Sequence, residues 1–126
     1  MVNLNELYYS GTHEYVRLEG EYGYVGLTDY AHNIIGEVDH LALPEVGKEF
    51  EAGEKIGMLT TKSNISTALT LPISGVVVAI NKDVESKPSL LNDATSENWI
   101  VKVALIDEAE LDNLMDIEEY KEKIAQ

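Results

Sequence analysis

The sequence predicts a mostly β protein, a sandwich or barrel of short strands followed by an α-helical C terminus, and three observations predict it. Between Glu37 and Val103, short β-rich runs are broken by Pro and Gly at frequent intervals, as in packed antiparallel sheets. After Ile106 the composition turns sharply toward Asp, Glu and Leu. Two look-alike turns, Leu43-Pro44-Glu45-Val46-Gly47 and Leu71-Pro72-Ile73-Ser74-Gly75, stand 28 positions apart and mark two quasi-equivalent halves.

The elements follow in order. Tyr15 to Leu27 holds two β-rich runs broken at Gly20-Glu21, a hairpin signal. Thr28 can cap a short helix through Ile34, with Asp29 near its positive end, Gly36 as its stop, and Tyr30, Ala31, Ile34 and Ile35 on the packed face. Pro44 and Pro72 belong at strand starts or corners, because proline cannot donate to a central ladder. Glycines 47, 53, 57 and 75 offer bends or bulges there.

Gly75 to Ile80 reads as a buried strand and Trp99 to Leu105 as one of alternating exposure, with one or two helical turns over Ser86 to Asn92 that place Pro88 in a first turn. Asp107 with Glu110, and Asp116 with Glu119, have capping-box spacing, so residues 107–124 read as two short helices. Leu111, Leu114 and Met115 would face the body from the first, and Ile117, Tyr120 and Ile124 from the second. The expected organisation is one domain over 1–126, with a β body over about 8–106 and C-terminal helices over about 107–124.

The chain of 126 residues is 44% hydrophobic and 25% charged, and this size supports one core burying roughly two-thirds of the unfolded surface. Its net charge of −14 repels nucleic acid and anionic lipid and favours basic partner surfaces. With no cysteine there is no disulfide, thiolate metal site or cysteine nucleophile. The first nine residues lack the basic start and apolar run of a signal peptide. No stretch approaches a membrane span, so a cytoplasmic protein is expected, and a monomer.

An enzyme is hard to assemble from these residues. His13, His32 and His40 lack ligand-like spacing and read as surface or capping residues, and neither a nucleophile elbow nor a phosphate-loop glycine pattern is present. Lys62 differs by its setting, a polar β-branched stretch from Leu59 to Thr67 midway between the duplicated turns. Acylating a lysine on a turn converts a charged side chain into a long neutral arm, and tethering concentrates whatever the arm carries at each active site it reaches. The residues alone leave two readings of Lys62, attachment point or solvated strand residue.

From about Tyr8 to Ile124 a series of segments stands in order: His13-Glu14-Tyr15-Val16-Arg17, Val25-Gly26-Leu27-Thr28-Asp29-Tyr30-Ala31, the two Leu-Pro turns, Asn81, Pro88, Leu90, Asn92, Trp99 and the acidic C-terminal helices. In these the sequence resembles the glycine cleavage system H protein family. The resemblance implies a barrel-sandwich hybrid, the fold of lipoyl and biotinyl carriers, with lipoate attached covalently to a hairpin lysine, here Lys62. It implies a non-catalytic carrier whose chemistry resides on the cofactor. Its partners would be glycine decarboxylase, aminomethyltransferase, dihydrolipoyl dehydrogenase, and a lipoate ligase or lipoyl/octanoyl transferase. Glu14 matches a carboxylate near the cleft that receives the loaded arm. Trp99 matches a customary position but reads more simply as a packed aromatic.

The sequence departs from the family where the lysine sits. Against the usual Gly-x-x-Glu-Ser-Val-Lys-Ala followed by Pro-x-x-Gly, Lys62 lies one place nearer Gly57 and two places farther from Pro72. Leu59 or Thr60 replaces the customary glutamate, and Ala68 the downstream aspartate. With both strands paired, the added residue belongs in the turn, and Ser63-Asn64-Ile65 is the expected tip with Lys62 just before it. A one-residue shift reverses the face of a strand residue, so the direction of Lys62 decides between a lipoylated aminomethyl carrier and an unmodified H-like binding or scaffold protein. A biotinyl carrier fits less well, since Thr61-Lys62-Ser63 stands in place of Met-Lys-Met.

Overall fold

A computed structural model of the chain describes residues 7–11, 13–28, 38–87 and 99–124. The described strands are β1 (Leu7–Tyr9), β2 (Glu14–Glu19), β3 (Tyr22–Leu27), β4 (Val38–Ala42), β5 (Glu49–Phe50), β6 (Lys55–Thr61), β7 (Ser66–Thr70), β8 (Gly75–Ile80) and β9 (Val101–Leu105). They form a six-stranded antiparallel sheet, β1-β2-β3-β9-β8-β5, and a three-stranded one, β4-β6-β7. This is the mostly β, two-sheet architecture expected from the sequence.

The β2–β3 hairpin turns at Gly20-Glu21, where Glu19 pairs with Tyr22 and Gly20 takes a φ of 63°. Glycine first in a two-residue turn suits the right-handed strand twist. The segments that follow the duplicated turns come together. Phe50 pairs with Gly75, Gly47 N–H donates to Val77 O at 2.7 Å, and Val77 N–H donates to Lys48 O at 2.8 Å. Pro44 and Pro72 lie between strands, after β4 and after β7, so neither interrupts a ladder.

Val16, Val25 and Val103 from the larger sheet join Val38, Leu59 and Leu69 from the smaller in one buried cluster. Each such side chain stabilises the fold by about 1.5–3 kcal/mol. Gly57 fits this packing for a steric reason: a Cβ there would run into the carbonyl oxygen of Ala42. Its lack of a side chain lets β4 lie along β6 where the β6–β7 register shifts between Lys55 and Gly57.

Several elements differ from the expectation. β1 was not legible, because three residues carry no period. It is held by β2 and by reciprocal bonds with Met115, Tyr9 N–H to Met115 O and Met115 N–H to Tyr9 O, both 2.8 Å. The short helix after β8 begins early: α1 spans Lys82–Ser86, capped by Asn81, whose side chain accepts from Asp83 N–H at 3.2 Å while its amide donates to Trp99 O at 2.9 Å. The expected turns over Ser86 to Asn92 therefore overlap only the end of α1, and 88–92 lie outside the described residues. The helix expected from Thr28 through Ile34 also lies outside them beyond Thr28, as does His32.

At the C terminus the first expected helix is a 3-10 helix, Glu108–Asn113, and the second is α2, Ile117–Ile124. Asp116 and Glu119 form the reciprocal capping box, with Glu119 N–H donating to Asp116 at 2.8 Å and Asp116 N–H to Glu119 at 3.4 Å. The other box does not form. Asp107 caps Ala109 N–H at 3.0 Å, but Glu110 instead accepts from Ser74 N–H and Oγ, each at 2.8 Å. Leu111 and Leu114 pack on the main core, while Met115 and Ile124 join a second cluster of Leu7, Tyr9, Tyr15 and Tyr120.

Candidate functional site

Lys62 opens the loop that joins β6 to β7. Thr60 and Ser66 are the last ladder pair, Thr61 N–H donates to Ile65 O at 2.9 Å, and Asn64 N–H donates back to Thr61 O at 2.9 Å. Asn64 has a φ of 63°. This is the three-residue hairpin loop in which a tight turn is closed by a left-handed residue. The Thr61 hydroxyl adds a brace by accepting from Ile65 N–H at 3.2 Å.

The loop is thus Lys62-Ser63-Asn64, and the expected tip of Ser63-Asn64-Ile65 is corrected by one residue. The left-handed Asn64 closes the turn. The shift does not bury the lysine either: Leu59 and Thr61 point inward at 1% and 2% exposure, whereas Lys62 is exposed. Because Leu59 is buried, only Thr60 can stand outward where the family has glutamate, and its hydroxyl lies 3.3 Å from that of Ser66. Ala68 is exposed opposite Met58.

Glu14 starts β2 and is buried. Its carboxylate accepts from Thr70 Oγ1 at 3.0 Å and Ser10 Oγ at 3.3 Å, and its N–H donates to Ser10 Oγ at 3.0 Å. Thr70 ends β7, so Glu14 grips the hairpin at the end opposite Lys62, roughly 16 Å along the strand from Ile65 at about 3.3 Å per residue. Next to it, the Tyr120 hydroxyl lies 2.7 Å from Thr28 Oγ1 and 2.9 Å from His13 Nδ1. The Tyr120 ring stacks on Tyr9 with centroids 4.8 Å apart.

His13 is therefore half-buried and bonded to α2, unlike the surface or capping residue expected. Burial first, and the Lys123 ammonium second, lower its pKa below the usual imidazole value. Burial pushes the Tyr15 phenol up to about 12, against a smaller opposing pull from Arg17. His40 is exposed on β4, and Trp99 packs edge-on against Tyr24 at 5.1 Å. Among the described residues no three His, Asp or Glu side chains cluster to hold a metal. The sequence does not announce Ser10 and Thr70, and it marks Thr28 only as a helix cap and Tyr120 only as a packed helix residue, so their meeting beside Glu14 and His13 was not foreseen. They come from distant stretches, and no spacing links them.

Residues 7–126 match the family model described as glycine cleavage H-protein. The chain belongs to the glycine cleavage H-protein family. It is 40% identical over 118 residues to glycine cleavage system H protein 1 of Caldanaerobacter subterraneus subsp. tengcongensis, covering 94% of each chain. To the glycine cleavage system H protein of Symbiobacterium thermophilum it is 43% identical over 116 residues, covering 91% of this chain and 90% of that one. In fold it is similar to the crystal structure of a glycine cleavage system H protein from Mycobacterium marinum, with a TM-score of 0.82, 24% identity, and coverage of 97% of this chain and 98% of that one. The fold is accordingly the barrel-sandwich hybrid. Proteins of this family are lipoyl carriers, non-catalytic components of the glycine cleavage system, and this chain is a carrier component and not an enzyme.

Proposed function

We propose that this protein carries lipoate in amide linkage on Lys62 and shuttles an aminomethyl group between the enzymes of the glycine cleavage system. The observation that carries this reading is the exposed Lys62 on the first residue of a braced hairpin loop. The residues present fit the group: Lys62 carries its amine on a flexible stem at an exposed loop position, while Thr61 beside it is buried. When attached, the lipoyl disulfide would supply the redox-active acceptor for the aminomethyl group.

The chain's own part is presentation. The braced loop fixes the root of the arm, and the β body, one carrier domain, holds that root at an effective concentration no free cofactor would reach. Glu14 is the docking candidate for the loaded arm, supported by its bond to Thr70 on the same hairpin. The partners are glycine decarboxylase, aminomethyltransferase and dihydrolipoyl dehydrogenase, after loading by a lipoate ligase or lipoyl/octanoyl transferase. The net charge of −14 favours basic docking faces on them, so binding should weaken steeply with salt. Among the described residues, no helix is long and apolar enough to cross a membrane.

Coexpression with a lipoate ligase followed by intact-mass measurement tests the assignment. The expected result is one lipoyl increment that disappears in Lys62→Ala. Protein that stays wholly unacylated would leave the unmodified binding or scaffold reading.

A further inference from the structure

Resting on the assignment of Lys62 as the acylated residue, we propose that Asn64 is a positioning residue for that acylation, fixing the exposed loop that carries the lysine through its left-handed backbone. The argument starts from register. β6 and β7 are paired at Thr60 with Ser66, Leu59 with Thr67 and Met58 with Ala68, and Leu69 of β7 is buried. A slip of one residue would turn Leu69 outward, so the ladder cannot yield to suit the loop. Three residues must then close between Thr61 and Ile65.

That closure needs a left-handed residue at the third position, and Asn64 supplies it with a φ of 63°. Its N–H donates to Thr61 O at 2.9 Å, and the next N–H, that of Ile65, meets Thr61 Oγ1 at 3.2 Å. Asn and Gly tolerate this conformation, whereas a β-branched residue resists it. Forced out of it, the loop loses both bonds to Thr61, and Lys62 is no longer fixed relative to the strand behind it. The enzyme that loads the arm then meets an ensemble of loop shapes in place of one.

The test is timed acylation of the purified full chain by a lipoate ligase with ATP and lipoate, read by intact mass. Its second arm is the rate of tryptic cleavage after Lys62 in unmodified protein. Asn64→Gly should keep the wild-type acylation rate, and Asn64→Val should lose roughly tenfold, with an unchanged far-ultraviolet spectrum. Ser63→Val, β-branched at a loop position without a positive φ, should acylate as the wild type does. Tryptic cleavage should speed up in Asn64→Val and not in Asn64→Gly. Equal acylation of wild type, Asn64→Gly and Asn64→Val would overturn the proposal. Wild-type protein left unacylated would sink the carrier assignment instead, and the tryptic arm would still decide whether Asn64 holds the loop.

Discussion

Lys62 stands at one end of the β6–β7 hairpin and Glu14 grips the other, and the two ends are held by different physics. At the tip, backbone bonds and one threonine hydroxyl fix a loop whose residues are exposed. At the foot, Glu14, Ser10 and Thr28 are polar and buried, and each must keep its partners or leave an unsatisfied group in a low-dielectric setting. A carrier has reason to be built this way. The end that is chemically altered should be thermodynamically silent, and the end that anchors the hairpin should not.

The sharpest way to break the comparison is to empty the foot. Glu14→Ala removes the buried carboxylate that accepts from the hydroxyls of Ser10 and Thr70 and should cost about 2–3 kcal/mol in urea unfolding, with Glu14→Gln costing less because the amide oxygen still accepts. A loss below about 0.5 kcal/mol would place Glu14 among ordinary surface residues. Next in size is Tyr120→Phe, which keeps the stack on Tyr9 and removes only the hydroxyl shared with Thr28 and His13. A loss of about 1–2 kcal/mol is expected, because Thr28 is buried.

The same two ends show what the sequence could and could not disclose. The hairpin was legible because its signals are local: Lys62 stands in a polar, β-branched stretch midway between duplicated turns. Only its tip was misplaced, since the left-handed preference of Asn64 outweighed a simple centring of the loop. The Asp116–Glu119 box was legible for the same reason. Its twin at Asp107–Glu110 was not, because Ser74, distant in sequence, offered Glu110 a better pair of donors. The foot was illegible apart from Glu14, since residues 10, 28, 70 and 120 meet only after both sheets and α2 are in place.

Titration sharpens the contrast by a smaller amount. The folded state holds the His13 pKa below that of the unfolded chain, by burial and then by Lys123, so the unfolded chain takes up the proton first as pH falls. The stabilising contribution is complete above about pH 6.5 and is lost as pH falls from there through the lower folded value. Lys123→Gln should shrink the effect without removing it, because burial is the larger cause. At the other extreme Tyr15, raised to about 12, should ionise late in an alkaline ultraviolet titration. It should draw stability away from the fold between about pH 10 and 12, where the unfolded phenol ionises first.

The smallest expected effect belongs to Lys62→Ala. The residue is exposed on the loop, and a surface charge contributes about 0–1 kcal/mol whatever it meets. Removing the side chain leaves the backbone bonds of Thr61, Asn64 and Ile65 in place, so urea unfolding should shift by no more than about 0.5 kcal/mol. The same variant should lose the entire lipoyl increment in mass. That pairing of full chemical effect with little energetic one is what separates a presented amine from a structural lysine. A loss as large as that of Glu14→Ala would mean that the tip, like the foot, is part of what holds the fold together.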